Sequence, residues 1–556
     1  MSSRRRHWSP LLLAVLASWG AVLTCGERVL GADVAPTGPR FEIEQTIWGF
    51  GTSLVAGLQP VSVLVRNVGD TPYRGPVSFG PYDLISLSHL DEWTPPIALD
   101  PGGSRWLQFG VDPTAAESYQ LSFGPIQTID LHSDDREDAV SKVRLAAEDE
   151  GAAARSRLGA FPERLFPRDA ASLSPLREVV IDHAPELSSD QQRALKDWIW
   201  LGGSLQLRPD GSGAYPPLPG ILADLSPGRG GASAMRIHAG RGSVVLGDFA
   251  VPAARGTPLP APEVLRDLAA FTSVRHPWGW IALLSFIYIV TIGPVNWLLA
   301  RRLRRYGIAL AITVAAIALF SALFVWIGGR GRARLEGTYT LTHARPVEDG
   351  YVLTHFVHLF VRSGGRYELD FPSSPSVQIV PFRQGQARMS GAYTNGAGGR
   401  IRLELPLNSS RQVIAHSRQS LPSILANPGS SSDDDGRPPL APRARADVLL
   451  AVAASGASRN WTSITFGPDG EWIEGVTQRW NTVDRPEVDD PRLASWIHRS
   501  IIERAVRSQS PGVGETRLLV LARAPQSIAV SSEVESREHL ILYDYAFPYY
   551  PTPTGD

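Results

Sequence analysis

REVVIDHAPELSSDQQRALKDWIWLGGSLQL, residues Arg177 to Leu207, holds a whole supersecondary unit. Val179, Val180 and Ile181 form a short continuous apolar strand. Ser188 or Ser189 can cap a helix, with Gln191 or Gln192 three residues on to complete a capping box. Leu195, Trp198 and Ile199 give that helix its inner face. Gly202 and Gly203 stop it, and Leu205 to Leu207 begin a second strand. Strand, helix, glycine stop and strand make a βαβ unit. SVVLGDF, Ser243 to Phe249, reads as a further strand. Asp182, His183 and Glu186 come after the first strand, and ligands and catalytic groups collect at the carboxyl ends of parallel strands. They are the best-placed polar group in the chain. The plainer reading is an acidic loop that solvates the strand end.

Residues 126–270 thus read as an α/β domain. Its upstream part, EDAVSKVRLAAEDEGAAARSRL, is charged and helix-forming. Just before it, His132, Asp134, Asp135, Glu137 and Asp138 could hold a divalent cation. A charged loop entering a helix is the simpler account, since carboxylates near a helix start are favoured by its dipole.

Residues 33–125 have a different rhythm. FEIEQTIW, PVSVLVRNVG, GPVSFG, SRWLQFGV and SYQLSFG alternate or run apolar between Gly, Pro and Asp turns. Val61, Val63 and Val65 face one way, and Asn67-Val68-Gly69-Asp70 is a turn. Several short strands at this spacing indicate a β-sandwich of immunoglobulin-like type.

Downstream, Trp278 to Ala300 and Gly307 to Gly329 contain no ionisable residue. Each exceeds the roughly 20 residues a helix needs to cross a bilayer core. Arg301, Arg302, Arg304 and Arg305 lie between them. Burying them would cost about 2.5–3.5 kcal/mol each at the helix centre, so they belong at an interface, and positive charge favours the cytoplasmic one. The expectation is a transmembrane hairpin (278–300 and 307–329) with a cytoplasmic 301–306 loop. Arg330, Arg332 and Arg334 come after the second helix and weaken the charge asymmetry. Pro294 and Asn296 interrupt the first helix, as a hinge or polar site or, more plainly, as a tolerated kink with an interhelical hydrogen bond. Neither span carries an Asp, Glu, Lys or Arg, which argues against a proton relay.

The N-terminus agrees with export. Arg4, Arg5 and Arg6 precede an uncharged run and small residues near Gly31 and Ala32, the layout of a secretory signal over 1–32. A twin-arginine signal, an uncleaved anchor and lipidation at Cys25 are the rivals, and each would export the downstream chain. Cys25 is the single cysteine, so cleavage would leave no disulfide, thiolate site or cysteine nucleophile.

Residues 330–556 read as mostly β. GTYTLTHA, GYVLTHFVHLFVR, RYELDF, SVQIVPF, RIRLELPL, ADVLLAVAA, WTSITFG and TRLLVLAR are strand candidates. Residues 427–445 form a flexible loop. PRLASWIHRSIIERAVRS is a helix whose apolar face carries Leu493, Trp496, Ile497, Ile501 and Ile502. The tail ILYDYAFPYYPTPTGD ends a strand and continues as a frayed terminus or a polyproline-type docking peptide.

At 556 residues the chain is too long for one core. A net charge of −1 creates no global field that would favour nucleic acid. No Walker A loop surrounds Lys142 or Lys196, and no His-Glu-x-x-His, EF-hand loop or Asp-x-Ser-x-Ser occurs.

PVSVLVRNVGDTPYRGPVSF resembles the Ig-like modules of bacterial surface proteins. The pattern from Val179 to Leu207 resembles class I glutamine amidotransferase-like domains of bacterial membrane proteins. With GPVNWLLARRLRR, the chain resembles a type of bacterial membrane protein that combines these parts. Active amidotransferases need a nucleophilic cysteine with a histidine partner. None remains in the mature chain and no Gly-x-Ser-x-Gly replaces it, so the resemblance implies the fold without its catalysis.

The expectation is therefore a multidomain α+β membrane protein. It comprises an Ig-like β-sandwich, a degenerate flavodoxin- or amidotransferase-like α/β domain, the two-helix hairpin and a β-rich domain over 330–556. Both large parts lie outside the cytoplasmic membrane, with the lipid bilayer and envelope proteins as partners. No cofactor or metal is implied. The expected role is a non-enzymatic scaffold or binding subunit. The alternatives are a hydrolase or transferase using the 182–186 loop, and a transport accessory or oligomeric channel.

Overall fold

The computed structural model describes residues 38–548 apart from the segments 52–56, 82–88, 113–117, 133–140, 148–158, 227–235, 248–258, 273–277, 304–305, 333–335, 382–389, 426–446, 456–459, 467–471, 480–492, 509–514, 525–527 and 531–533 and a few single or paired positions. It is a mixed α+β chain dominated by several β-sheets.

The first nine strands are β1 (Phe41–Trp48), β2 (Gln59–Asn67), β3 (Tyr73–Gly75), β4 (Ser78–Pro81), β5 (His89–Trp93), β6 (Ile97–Leu99), β7 (Ser104–Val111), β8 (Ser118–Phe123) and β9 (Gln127–His132). β1, β2 and β7 form an antiparallel sheet, and β5, β4, β8 and β9 run side by side in a second. The inward positions of both meet in one core. Val61, Val63 and Val65 of β2 are completely buried, as are Leu121 and Phe123 of β8. Phe41 stacks on Phe123 with ring centroids 3.8 Å apart. Burying each such side chain stabilises the fold by about 1.5–3 kcal/mol. The turn after β2 is held by Asn67, whose Nδ2 donates to Leu99 O (3.1 Å) and Thr71 O (2.8 Å) while its Oδ1 accepts from Gly69 N. The β8–β9 hairpin runs through residue 125, where the change of character in the sequence suggests a boundary.

The next six strands are β10 (Lys142–Ala146), β11 (Ala160–Pro162), β12 (Glu178–Ile181), β13 (Ser204–Leu207), β14 (Arg236–Ala239) and β15 (Gly242–Leu246), with α1 (Ser189–Trp200) between β12 and β13. Their order is β11-β10-β12-β13-β15-β14, all parallel except the β14 edge. Counting the parallel strands along the chain gives 2-1-3-4-5, which reverses direction between β10 and β12. The capping box forms at Ser188 and Gln191. Gly202 stops the helix at φ 110°. A Cβ on Gly203 would lie 2.4 Å from the Trp198 ring, so close packing demands that glycine. The stretch whose composition predicts a charged helix contains β10 instead. Val143 and Leu145 are fully buried in a parallel strand, and that burial sets the conformation of Lys142–Ala146, while residues 148–158 of the same stretch lie outside the described residues.

Helix α2 (Ala261–Ala270) precedes the apolar segment. That segment comprises α3 (Trp278–Val290), one π-helical stretch over Thr291–Val295, α4 (Asn296–Leu303) and α5 (Tyr306–Arg332). Gly279–Leu298 is long and apolar enough to cross a bilayer, and Leu310–Val325 is a shorter apolar stretch.

The remaining strands are β16 (Gly337–Val347), β17 (Gly350–Val361), β18 (Gly365–Asp370), β19 (Gln378–Pro381), β20 (Ser390–Thr394), β21 (Arg400–Leu405), β22 (Ser409–Gln419), β23 (Val448–Ser455), β24 (Asn460–Phe466), β25 (Trp472–Arg479), β26 (Glu515–Arg523), β27 (Ala529–Val530) and β28 (Ser536–Pro548), with α6 (Leu493–Ser508) before β26. Nine make one sheet, β19-β22-β17-β16-β28-β26-β23-β24-β25. α2 and α6 cover one face of it through Leu265, Leu268, Ile497 and Ile501, all fully buried.

The regions before and after the apolar segment are not separate bodies. β20 pairs in parallel with β5, which joins β18, β20, β21 and β27 to β4, β5, β8 and β9 in one eight-stranded sheet. Val347 and Val352 enter the core of the α/β region. Arg418 Nε meets Asp197 Oδ2 at 2.6 Å, a contact across 221 residues of sequence.

Candidate functional site

The reversal between β10 and β12 is where open parallel sheets form their ligand crevice. Here that position carries Asp182 and His183 after β12, Arg144 on β10 and Glu163 just after β11. His183 Nδ1 lies 2.9 Å from Asp182 Oδ1, and Nε2 lies 2.5 Å from Glu163 Oε1. Arg144 Nε donates to Asp182 Oδ2 at 2.6 Å. The second oxygen of Glu163 accepts from the Glu186 backbone N–H at 2.7 Å. Gln191, the capping residue of α1, donates to the carbonyls of Glu163 and Phe166, so the helix start and this loop are fastened together.

The electrostatics come from these contacts. The Glu163 carboxylate, reinforced by Asp182 against the opposing effect of burial, pushes the His183 imidazolium up to about 9. Burial works to raise Asp182, but hydrogen bonds from Arg144 and His183 outweigh it and hold the carboxyl below its usual value. His183 is therefore a cation at neutral pH with both N–H groups engaged. A general base needs a free lone pair within reach of the proton it removes, and this imidazole offers none. Of the three residues singled out in the sequence, Asp182 and His183 join one network. Glu186 is exposed and contributes its backbone N–H. Arg144 and Glu163 escape a sequence reading because they come from β10 and from the short helical turn after the three-residue β11, both distant in sequence from Asp182.

A second ionic cluster lies inside the nine-stranded sheet. Asp544 on β28 receives Arg517 Nε and Nη2, both at 2.6 Å, and Arg241 Nη2 at 3.2 Å. His343 Nε2 stands 3.1 Å from its other oxygen. Asp544 and Arg517 are almost completely buried. Burial, aided by Arg345 and Arg517 and opposed by Asp544, pushes His343 down to about 4. Arg241 comes from the turn between β14 and β15, so this cluster also bonds the α/β region to the sheet.

A cleft of about 180 Å³ opens between these two regions. One wall is the face of α1 bearing Asp190, Arg193, Ala194 and Asp197, the other carries Val352, His416 and Arg418, and Arg168 lies beside them. The i, i+3, i+4, i+7 spacing of the α1 residues is visible in the sequence. What they face is not, since β17 and β22 lie more than 150 residues away.

The other residues singled out take these places. Asn296 Nδ2 donates to Thr313 Oγ1 at 2.7 Å between α4 and α5, and Pro294 sits inside the π-helical stretch. Arg301 and Arg302 lie in the last turn of α4, and the Arg301 guanidinium sits 5.5 Å from the Trp297 ring centroid. Arg304 and Arg305 lie outside the described residues, as do Cys25, the 1–32 signal, the 427–445 loop and residues 549–556. His132 ends β9, exposed, while Asp134, Asp135, Glu137 and Asp138 are also outside them. Among the described residues no group of His, Cys, Asp and Glu is placed to hold a metal ion.

No protein-family model matches this chain, and no curated protein matches it. Among solved structures, a β-glucosidase from Erythrobacter marinus shows 19% identity over 17% of this chain and 15% of its own length, with a TM-score of 0.12. A cycloisomaltooligosaccharide glucanotransferase from a Paenibacillus species shows 9% identity over 68% of this chain and 72% of its own, with a TM-score of 0.15. Likenesses at this level identify neither a shared fold nor a shared activity.

Proposed function

We propose that this chain is a non-enzymatic, membrane-anchored scaffold or binding subunit of a bacterial envelope complex. Its apolar segment is a two-helix transmembrane hairpin. Everything else described forms one extracytoplasmic body with an Ig-like sandwich and a degenerate flavodoxin- or amidotransferase-like domain.

The observation that carries this reading is a contrast in burial. Thirteen of the twenty exposed large apolar side chains among the described residues lie between Trp280 and Val325, and Phe286, Ile289, Leu310, Leu319 and Val325 are each at least 64% exposed. An apolar surface so continuous requires a hydrocarbon environment or a partner. The chain on either side is woven into a single body through β5 and β20, so a segment that leaves that body and returns crosses a bilayer an even number of times. Arg301 and Arg302 at its far turn fit the cytoplasmic face. The occupied crevice between β10 and β12 supports the non-enzymatic half of the reading, since its charged groups bind one another.

Reporter fusions test it. A periplasm-active enzyme fused after Asp556 should be active, and the same enzyme inserted between Arg302 and Tyr306 should be silent. The reverse pattern, or activity at both positions, overturns the hairpin. Cross-linking in native membranes and subsequent purification should recover a stoichiometric envelope partner. Recovery of the protein alone would overturn the scaffold role.

A further inference from the structure

We propose that two neighbouring crossovers between the sheets, residues 362–364 and 406–408, dock on the extracytoplasmic surface of the bilayer, with Leu407 at the acyl boundary and Arg362 and Arg366 at lipid phosphates. The inference rests on the transmembrane hairpin proposed above and adds a second, peripheral contact that fixes how the body sits on the membrane.

A single exposed leucine is ordinary on a protein surface, so its exposure and its position decide. Leu407 is 68% exposed, while the other large apolar side chains exposed outside the apolar segment stand at 37–48% among the described residues. It matches Phe286 and Leu310 of the apolar segment, at 65% and 67%. Asn408 follows it at φ 54°, the one positive φ of a non-glycine residue among those described. That left-handed step, which asparagine tolerates, turns the chain sharply from β21 into β22 and leaves Leu407 at the tip.

The tip lies against the chain that leaves the apolar segment. Asn408 N donates to Arg362 O at 3.1 Å, and Arg362 N donates to Glu336 Oε1 at 3.2 Å. From Arg332, the end of α5, to Glu336 the chain spans at most about 14 Å. The chain that enters the segment is fastened at the same end. Thr272 Oγ1 lies 2.8 Å from His358 Nε2, two residues before the row of Gly337, Phe360 and Ser410. A bilayer around the hairpin therefore faces this end of the sheet. At 27 residues α5 is about 40 Å long, against a hydrocarbon core of roughly 30 Å, so Arg330 and Arg332 in its last turn stand at headgroup level. Arg362 is exposed, and the Arg366 side chain is 85% exposed beside Glu404. Guanidinium groups flanking an apolar side chain suit the interface, where the heads meet phosphates and the stems meet acyl chains.

The test uses the full-length Cys25→Ser protein in phosphatidylcholine nanodiscs, with a polarity-sensitive fluorophore attached to a Leu407→Cys, Asp349→Cys or Phe286→Cys variant. Asp349 lies in the turn between β16 and β17, about 35 Å away at the far end of the same strands. The Leu407 label should emit at shorter wavelength than the Asp349 label, be quenched by nitroxide-bearing lipid and resist aqueous iodide. The Phe286 label reports the hairpin itself. A Leu407 label that behaves like the Asp349 label, while lipid nitroxide quenches the Phe286 label, overturns the docking and leaves the hairpin intact. A Phe286 label untouched by lipid nitroxide overturns the hairpin and the docking with it. Resistance to iodide without lipid quenching at Leu407 would assign the tip to a second copy of the chain and overturn the proposal.

Discussion

His183 and His343 each stand beside a carboxylate, and they hold opposite protonation states. His183 has a carboxylate at each nitrogen and is partly open to solvent, so the charged form wins and its value rises to about 9. His343 is buried, and the carboxylate near it is already committed to two arginines, so it falls to about 4. Proximity to a carboxylate thus fails to fix the charge of a histidine. The deciding quantity is how much of that carboxylate's field remains after its other partners, set against burial.

The sharpest way to break the comparison is Asp544→Ala. It leaves Arg517 buried without its counter-charge and should lower folding stability by about 3–5 kcal/mol, measured by denaturant unfolding. A loss below about 1 kcal/mol would mean that the guanidinium reaches water. Glu163→Gln acts on the more open cluster and should cost about 1.5–3 kcal/mol, the range for a hydrogen bond to a charged group. In the same protein the His183 value should fall toward about 6.5, as read by NMR titration. A value that stays near 9 would make Asp182 the dominant partner.

The pH dependence of unfolding sets the two clusters against each other. His183 is raised above its unfolded value of about 6.5, so its contribution is fully present below that pH and is lost as pH rises through about 9. His343 is depressed, so its contribution is present above about pH 6.5 and is lost as pH falls through about 4. Buried His355, His358 and His416 are depressed as well, so the acid limb should be the steeper one. Each histidine adds at most about 1.4 kcal/mol per pH unit. His183→Gln should flatten the alkaline limb alone. Finally, Arg366→Ala removes an ion pair whose side chains are 85% and 51% exposed, and stability should change by no more than about 0.5 kcal/mol.

The parts of this molecule legible in its sequence are those with a local cause. The capping box, the inner face of α1, the Gly202-Gly203 stop and the parallel strand after it are dictated by neighbours within a few residues. Strands such as β2 and β21 show their alternation directly, Val61-Val63-Val65 in one and Ile401-Leu403-Leu405 in the other. β22 is invisible because its first four residues, Ser409 to Gln412, look polar, and only its place between β19 and β17 buries Arg411 and Gln412. β10 is hidden in a helix-forming stretch. The β5–β20 pairing joins residues about 300 apart, and no periodicity in either strand names the other. For the candidate site the same rule holds. Asp182 and His183 announce themselves after a strand, while Arg144, Glu163 and the far wall of the cleft arrive through tertiary structure.

The position of β28 in the nine-stranded sheet has a consequence for biosynthesis. It lies parallel to β16, the first strand after the apolar segment, and antiparallel to β26, between the two. It also delivers Asp544, the counter-charge for Arg517 and Arg241. Until residue 536 has been synthesised, β16 and β26 both present open backbone edges, and Arg517 has no carboxylate to meet. The nascent chain must therefore wait, half-assembled, until β28 has been made. A product cut short before β28 carries two adhesive edges, suited to capture by chaperones and proteases.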